Sequence, residues 1–316
     1  MNFSADTSRA GPDGRVYDAT KKNWVDAWCP PWSRPWLRLS RADRPIGTWL
    51  LLIPCYWAIA LAAVSDGWGW IDLWLVPACT IGAFLMRGAG CTWNDYTDRH
   101  FDGEVARTAS RPIPSGQVTP TGALVWMVIQ ALLAALILFT FNWVAIVLGV
   151  LSLAIVCVYP FAKRFTWWPQ VFLGLAFNWG ALLLWAAKTG GLGVAPVALY
   201  LAGIAWTLHY DTIYAHQDRE DDALIGVKST ARLFGEDTAT MLWRFTAITG
   251  VFAASAVLAA GGGFFGLLGL AAMIGHMIWQ IRTLDIDDPD RCLTLFWSNR
   301  WAGMAFLAGL VLDSLF

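Results

Sequence analysis

Charge is what this sequence is shortest of. Only 14% of its 316 residues are Asp, Glu, Lys or Arg, against about 25% in an ordinary soluble domain. A soluble chain of this length needs charge to cover its surface, so an aqueous globular domain is excluded. Cysteine is sparse and unpatterned. Cys29, Cys55, Cys79, Cys91, Cys157 and Cys292 form no CxxC pair and no Cys/His cluster, which argues against a disulfide framework or a zinc site. They read as small apolar residues within or beside apolar segments. Histidine is scarcer still. His100, His209, His216 and His276 include no pair at ligand spacing, the nearest being seven apart, and read as packing or polar-surface residues. The N-terminus has no apolar h-region, so no secretory signal is expected. Asp6, Asp13, Asp18 and Asp26 argue against a mitochondrial transit peptide, which is poor in acids. No nucleic-acid partner is expected.

What the chain has in quantity is apolar and aromatic surface: 57% hydrophobic residues, with 21 Trp and 17 Phe. A helix needs about 20 mostly apolar residues to cross the hydrocarbon core of a bilayer. Nine segments approach that requirement: 45–64, 72–92, 121–140, 142–160, 169–187, 194–212, 239–260, 263–281 and 298–316. The expected fold is all-α, a polytopic membrane protein of nine transmembrane helices. Residues 1–35 read as a polar extension carrying a Pro- and Trp-rich surface segment from Trp28 to Trp36, and residues 36–316 as the membrane domain.

The basic residues test this count independently. With nine spans and the N-terminus inside, the inner segments hold Lys21, Lys22, Arg34, Arg38, Arg41 and Arg44, then Arg99, Arg107 and Arg111. They continue with Lys163 and Arg164, then Arg219, Lys228, Arg232 and Arg244, then Arg282, Arg291 and Arg300. The outer segments hold only Lys188. Such asymmetry is the positive-inside pattern. It predicts a cytoplasmic N-terminus and an outer C-terminus, with a bacterial inner membrane as the expected location.

Two inner connections, about 93–120 and 213–238, are long and polar, and both begin with clustered acids. The first runs from Asn94 to Asp102. Asp95, Asp98 and Asp102 are spaced three and four apart, and Asn94 precedes Asp98 by four. On a helix continuing from the second span these groups share one face. The second cluster holds Asp211, Tyr214, Asp218 and Asp222, spaced three, four and four, at the end of the sixth span. Like charges one turn apart repel and weaken a helix by a few tenths of a kcal/mol per pair, so two such stripes call for a cation. Hard oxygen donors without Cys, and without His as an obvious ligand, favour Mg²⁺ over zinc, and Mg²⁺ is commonly held by carboxylates together with substrate phosphates. Two stripes facing each other would grip a diphosphate between metal ions. Arg99, Arg107, Arg111, Lys163, Arg164, Lys228 and Arg232 lie on the same predicted side, and Arg suits bidentate phosphate contact. The bland alternative for the acids is a pair of solvated loops, and for the bases membrane topology alone. The 120 residues from Asp98 to Asp218 also hint at an internal duplication, although the surrounding sequence shows little self-similarity.

These motifs resemble the UbiA superfamily of membrane prenyltransferases. Its NDxxDxxxD signature is matched by Asn94 to Asp102, its RTxxRPxxSG stretch by Arg107 to Gly116, and its DxxYxxxD signature with a further Asp by Asp211, Tyr214, Asp218 and Asp222. The likeness runs from about Leu39 to the C-terminus. Within the superfamily it is greatest to the 4-hydroxybenzoate polyprenyltransferases of ubiquinone biosynthesis. Arg41 to Gly47, Tyr159 to Arg164, Pro169 to Gly174, and Tyr214 to Asp222 with Gly226 to Thr230 carry that closer similarity. Arg44 stands where many members have Lys.

The resemblance implies a nine-helix enzyme that transfers a polyprenyl group from its diphosphate to an aromatic ring. Mg²⁺ is then held by Asn94, Asp95, Asp98, Asp102, Asp211, Asp218 and Asp222. Asp98, Asp102, Asp218, Asp222 and Arg99 act on the reacting diphosphate. Arg44, Arg107, Arg111, Lys163, Arg164, Tyr214 and Lys228 contact substrate, with Arg44 or Arg164 as partner of the benzoate carboxylate. Membrane lipid surrounds the helices and admits the donor's tail. Two other readings remain open: a relative with a different acceptor (dihydroxynaphthoate, homogentisate, haem or chlorophyll type), and a cation-coupled transporter, since intramembrane acids also build ion paths. Against the transporter, the acids sit at helix ends rather than near the midplane.

Overall fold

The structure, a computed structural model, describes residues 23–103, 108–224 and 226–316. Lys21, Lys22, Arg107 and most of the N-terminal extension lie outside the described residues, as does the side chain of His100. Every regular element among the described residues is helical: α1 Trp24–Trp28, α2 Arg34–Leu39, α3 Ile46–Asp66, α4 Asp72–Asp102, α5 Pro120–Leu138, α6 Trp143–Phe165, α7 Pro169–Thr189, α8 Val194–Ala215, α9 Arg219–Leu224, α10 Thr230–Phe234, α11 Thr238–Ala259, α12 Phe264–Thr283 and α13 Pro289–Asp313. The long helices α3 to α8 and α11 to α13 each coincide with one of the predicted segments. Seven of them, α3 to α7, α11 and α12, are long and apolar enough to cross a membrane. This is an integral-membrane protein.

Three boundaries differ from expectation. Helix α4 continues ten residues past its apolar stretch to carry the first acid cluster. Helix α13 starts at Pro289, with Asp288 capping it through Arg291 N at 3.0 Å, so its first turns are polar and escape a hydropathy count. The expected boundary after residue 35 falls inside α2.

The chain divides into two compact units. One combines the chain up to Thr48 with Gly82–Leu136; the other combines Trp49–Ile81 with Ile137–Phe316. In the second unit α8 is the inner helix, packed against α7, α11 and α13. That surrounding explains why α8 falls outside the seven apolar helices: a helix enclosed by protein satisfies polar side chains internally. Trp206 donates to Asn299 Oδ1 at 3.1 Å. Buried His209 lies 3.1 Å from Gln280 Oε1 and 3.2 Å from Thr246 Oγ1, while Gln280 Nε2 donates to Leu295 O and Ser298 Oγ. His209 and His276 therefore behave as the packing residues predicted, joined through Gln280 and Ser298. Helices α12 and α13 approach backbone to backbone: a Cβ on Gly309 would stand 2.5 Å from Phe265 O, and one on Gly269 2.8 Å from Ala305 O. All six cysteines are free thiols.

Candidate functional site

The first acid cluster belongs wholly to the first unit. Because α4 runs unbroken through Asp102, the three-four spacing does place Asp95, Asp98 and Asp102 along one side of a helix. All three are buried, at 0%, 1% and 7% exposure, where unpaired carboxylates would be prohibitive. Arginine supplies the compensation. Arg111 Nη1 donates to Asp102 Oδ2 at 2.7 Å and reaches Asp95 Oδ1 at 3.3 Å. Arg41 Nη2 donates to the same Asp95 oxygen at 2.5 Å. Asp95 Oδ2 is buried with no hydrogen-bond partner. A carboxylate oxygen left in that state is a place for a cation or an ordered water, and with Asn94, Asp98 and Asp102 the available donors are all hard oxygens. The donor type suits Mg²⁺, although among the described residues no three acids or histidines are already gathered at metal-holding distance.

Arg41 is the group that sequence reasoning missed. It is 7% exposed and is the one described non-glycine residue with positive φ, at 56°. A residue other than Gly, Asn or Asp in the left-handed region is uncommon, and such conformations persist where surrounding contacts dictate them. Here the contact is the link to Asp95, 54 positions along the chain. The signal in the sequence was its place in the Arg41–Gly47 stretch, but no spacing rule points from it to Asp95. Arg44 instead pairs with its neighbour Asp43, through Nη2 at 3.3 Å and Nε at 3.4 Å. A Cβ on Gly47 would stand 2.4 Å from Arg87 Nη2, so a larger residue there would displace that guanidinium. Arg99 folds back on its own helix, donating to Tyr96 O at 2.7 Å with its guanidinium 4.5 Å over the Tyr96 ring. Arg107 lies outside the described residues.

Asp102 carries a raised pKa. Burial is the main cause, Asp95 and Asp98 add to it, and Arg111 opposes them. Its folded-state proton is held more tightly than an ordinary carboxyl's. Ionisation therefore costs folding stability as pH rises through the interval above the ordinary carboxylate range, and a cation bound to this carboxylate would have to displace that proton. Apparent Mg²⁺ affinity, measured by titration calorimetry in detergent, is expected to fall as pH is lowered into that interval, with proton release on binding. Asp102→Asn should remove this part of the pH dependence; an unchanged profile would show that another group titrates.

The second cluster belongs to the second unit and departs from a uniform helix. Helix α8 ends at Ala215, a 3₁₀ turn covers His216–Asp218, and α9 begins at Arg219. A 3₁₀ turn advances about 120° per residue instead of about 100°, so the expected single face shifts between Tyr214 and Asp218. His216 anchors the turn. Its Nε2 lies 3.0 Å from Thr238 Oγ1 at the start of α11, and burial, helped by Arg219 against Asp287, pushes its pKa down to about 4, so it is neutral near pH 7. Tyr214 packs on Phe296 with centroids 4.5 Å apart. Asp211, Tyr214, Asp218 and Asp222 are all half-buried. Arg219 turns away from them to pair with Asp287 at 2.8 Å.

The basic residues of this unit meet through backbone. Lys228 N donates to Lys163 O at 3.1 Å, joining the end of α6 to the loop before α10. Arg232 Nη1 donates to Asp222 O at 3.2 Å and to Val227 O, closing the loop after the last motif Asp. Lys228 and Arg232 both lie over the Trp167 ring. Arg164 is exposed and rests 5.1 Å over Phe161.

Comparison with known proteins fits both halves of this picture. The profile of the UbiA prenyltransferase family matches residues 51–309. A protein of Aedes aegypti named 4-hydroxybenzoate polyprenyltransferase, mitochondrial, is 47% identical over 88% of this chain, which spans 63% of that relative's length. The Bos taurus protein of the same name is 47% identical over 96% of this chain and 82% of its own, and the Arabidopsis thaliana one 46% identical over 93% and 72%. These names place the relatives in mitochondria and lend no support to the expected bacterial inner membrane. Among solved structures, a UbiA homolog from Aeropyrum pernix K1 superposes with a TM-score of 0.70 at 22% identity, covering 84% of this chain and 97% of its own. A UbiA homolog from Archaeoglobus fulgidus, bound to GPP and Mg²⁺, gives 0.61 at 18% identity, covering 88% and 99%. The chain is a member of the UbiA prenyltransferase family.

Proposed function

We propose that this protein transfers a polyprenyl group from polyprenyl diphosphate to the carbon of 4-hydroxybenzoate ortho to its phenol, releasing diphosphate, as a step of ubiquinone biosynthesis. The observation that carries the reading is the 47% identity to proteins named for that reaction, with both acid motifs intact in this chain. In this reading α8 and α13 also cross the membrane, making nine spans, and both acid motifs face the side rich in Lys and Arg.

Asn94, Asp98 and Asp102 from α4, and Asp218 and Asp222 from the second motif, would hold Mg²⁺, with Asp95 and Asp211 contributing directly or through water. Bound Mg²⁺ supplies Lewis-acid stabilisation of the departing diphosphate. Arg111, Arg99, Lys163 and Lys228 add positive charge where the leaving group becomes more negative. The allylic C–O bond breaks, its electron pair leaving with diphosphate. The ring carbon bonds to the allylic carbon, and the ring then loses its proton. Low charge elsewhere in the chain keeps water from the cation, and the surrounding lipid receives the donor's tail.

Membranes containing the protein, given labelled 4-hydroxybenzoate, geranyl diphosphate and Mg²⁺, are expected to form prenylated acid, and EDTA to abolish it. Absence of product with folded protein, across a panel of aromatic acceptors and longer donors, would overturn the reading. Arg44→Ala and Arg164→Ala are expected to raise KM for the aromatic acid more than for the donor. Equal effects on both substrates would remove these two residues from carboxylate recognition.

A further inference from the structure

The described part of the N-terminal extension is firmly held yet presents bare aromatic surface. Asn23 caps α1, accepting from Asp26 N at 2.9 Å. Asp26 pairs with Arg38 of α2 at 2.7 Å, both nearly enclosed. Trp24 Nε1 donates to Ala42 O, and Arg34 Nε to Cys29 O, each at 2.8 Å. Leu39 at the end of α2 belongs to a buried cluster with Ile113, Val118 and Ala123, against which Trp36 and Trp126 pack.

From this platform Trp28 and Trp32 project at 85% and 76% exposure. Ala27, Pro30 and Pro31 around them are exposed as well, and no charged side chain lies between Ala27 and Trp32. Two indoles held in water on a rigid scaffold forgo the burial that makes Trp favourable, whereas an indole at a membrane surface has an apolar body and a polar N–H both satisfied. The chain keeps the Leu39 end of the α1–α2 platform within reach of lipid. Six residues separate Leu39 from Ile46, where the apolar helix α3 begins; fully extended they reach about 20 Å. The headgroup region on each side of a bilayer is about 5–8 Å thick. Trp-rich span ends recur in the chain, with Trp70 before α4 and Trp143 opening α6 exposed at 88% and 74%.

We infer that the Ala27–Trp32 segment is an interfacial anchor, with Trp28 and Trp32 seated in the headgroup layer of the membrane that α3 enters. Its occupant is phospholipid, not a protein partner. The patch holds the α1–α2 platform, and with it Arg38 and Arg41, at the membrane surface.

The test uses full-length protein with 5-fluorotryptophan in nanodiscs of phosphatidylcholine and phosphatidylglycerol. Trp28→Phe and Trp32→Phe, each read independently, identify the two fluorine resonances. A lipid spin-labelled near its carbonyl is expected to broaden both resonances away, and a water-soluble gadolinium chelate to leave them largely intact. Broadening by the chelate with none from the lipid would place the segment in water and overturn the proposal. Protection from both reagents would mean a protein surface covers the patch, and would overturn it equally.

Discussion

Asp98→Asn and Asp218→Asn are each expected to cut prenyl transfer by at least about 10²–10³-fold, the scale seen when one electrostatic contact to a developing charge is removed. Each substitution keeps volume and hydrogen-bonding capacity while removing one negative charge. Helix α4 should survive it, because the like-charge repulsion among Asp95, Asp98 and Asp102 is relieved. The two variants test different units of the protein. Asp98 is buried on α4, whereas Asp218 ends the 3₁₀ turn beyond α8. If both motifs hold the metal-bound diphosphate, each single variant should be nearly as inactive as the double. That non-additivity is the mark of groups acting as one unit. Activity losses that multiply in the double variant would instead assign the motifs to separate steps. Raising Mg²⁺ should partly restore Asp98→Asn if its role is metal affinity; no rescue at any concentration would place Asp98 outside the metal's ligands.

How much of this was readable from sequence depends on whether the information is local. The first stripe was legible because nothing interrupts α4 between its apolar stretch and Asp102, so periodicity alone placed the three carboxylates together. The second stripe was legible as a motif but not as a surface. The 3₁₀ turn at His216 comes with a contact to Thr238, 22 residues on, and periodicity carries no information about it. Hydropathy found α13 only from about residue 298, because its first turns hold Asp290 and Arg291. It also found α8, yet this helix fits an apolar criterion poorly, since His209 and Trp206 have buried partners on α11, α12 and α13. Nor did sequence distinguish among the arginines. Positive-inside counting treats Arg41, Arg44, Arg99 and Arg111 alike, but their partners include Asp95, Asp43, Tyr96 and the Asp95–Asp102 pair respectively. Only a three-dimensional arrangement separates the arginines that pair with the motif's carboxylates from those that do not.

Arg41 gives the sharpest consequence of that distinction. Arg41→Ala is expected to destabilise the protein by about 3 kcal/mol, the low end for removing one partner of a buried pair, because Arg111 still reaches Asp95 at 3.3 Å. Activity should fall with it, since Asp95 and the neighbouring Asp98 then carry less compensated charge. The left-handed backbone at φ 56° allows the side-chain and backbone contributions to be separated. Alanine keeps the conformational strain; glycine adopts this φ without steric cost. Arg41→Gly should therefore unfold at a higher temperature than Arg41→Ala, by the equivalent of about 1 kcal/mol, while losing the same activity. Arg41→Lys retains charge but not the planar fork, and should recover stability more fully than turnover. Thermal unfolding in detergent and turnover measured side by side on the three variants decide the matter. Glycine and alanine variants of equal stability would show that the backbone at Arg41 carries no strain. A lysine variant with full turnover would show that Asp95 needs only a positive charge, with no demand on its geometry.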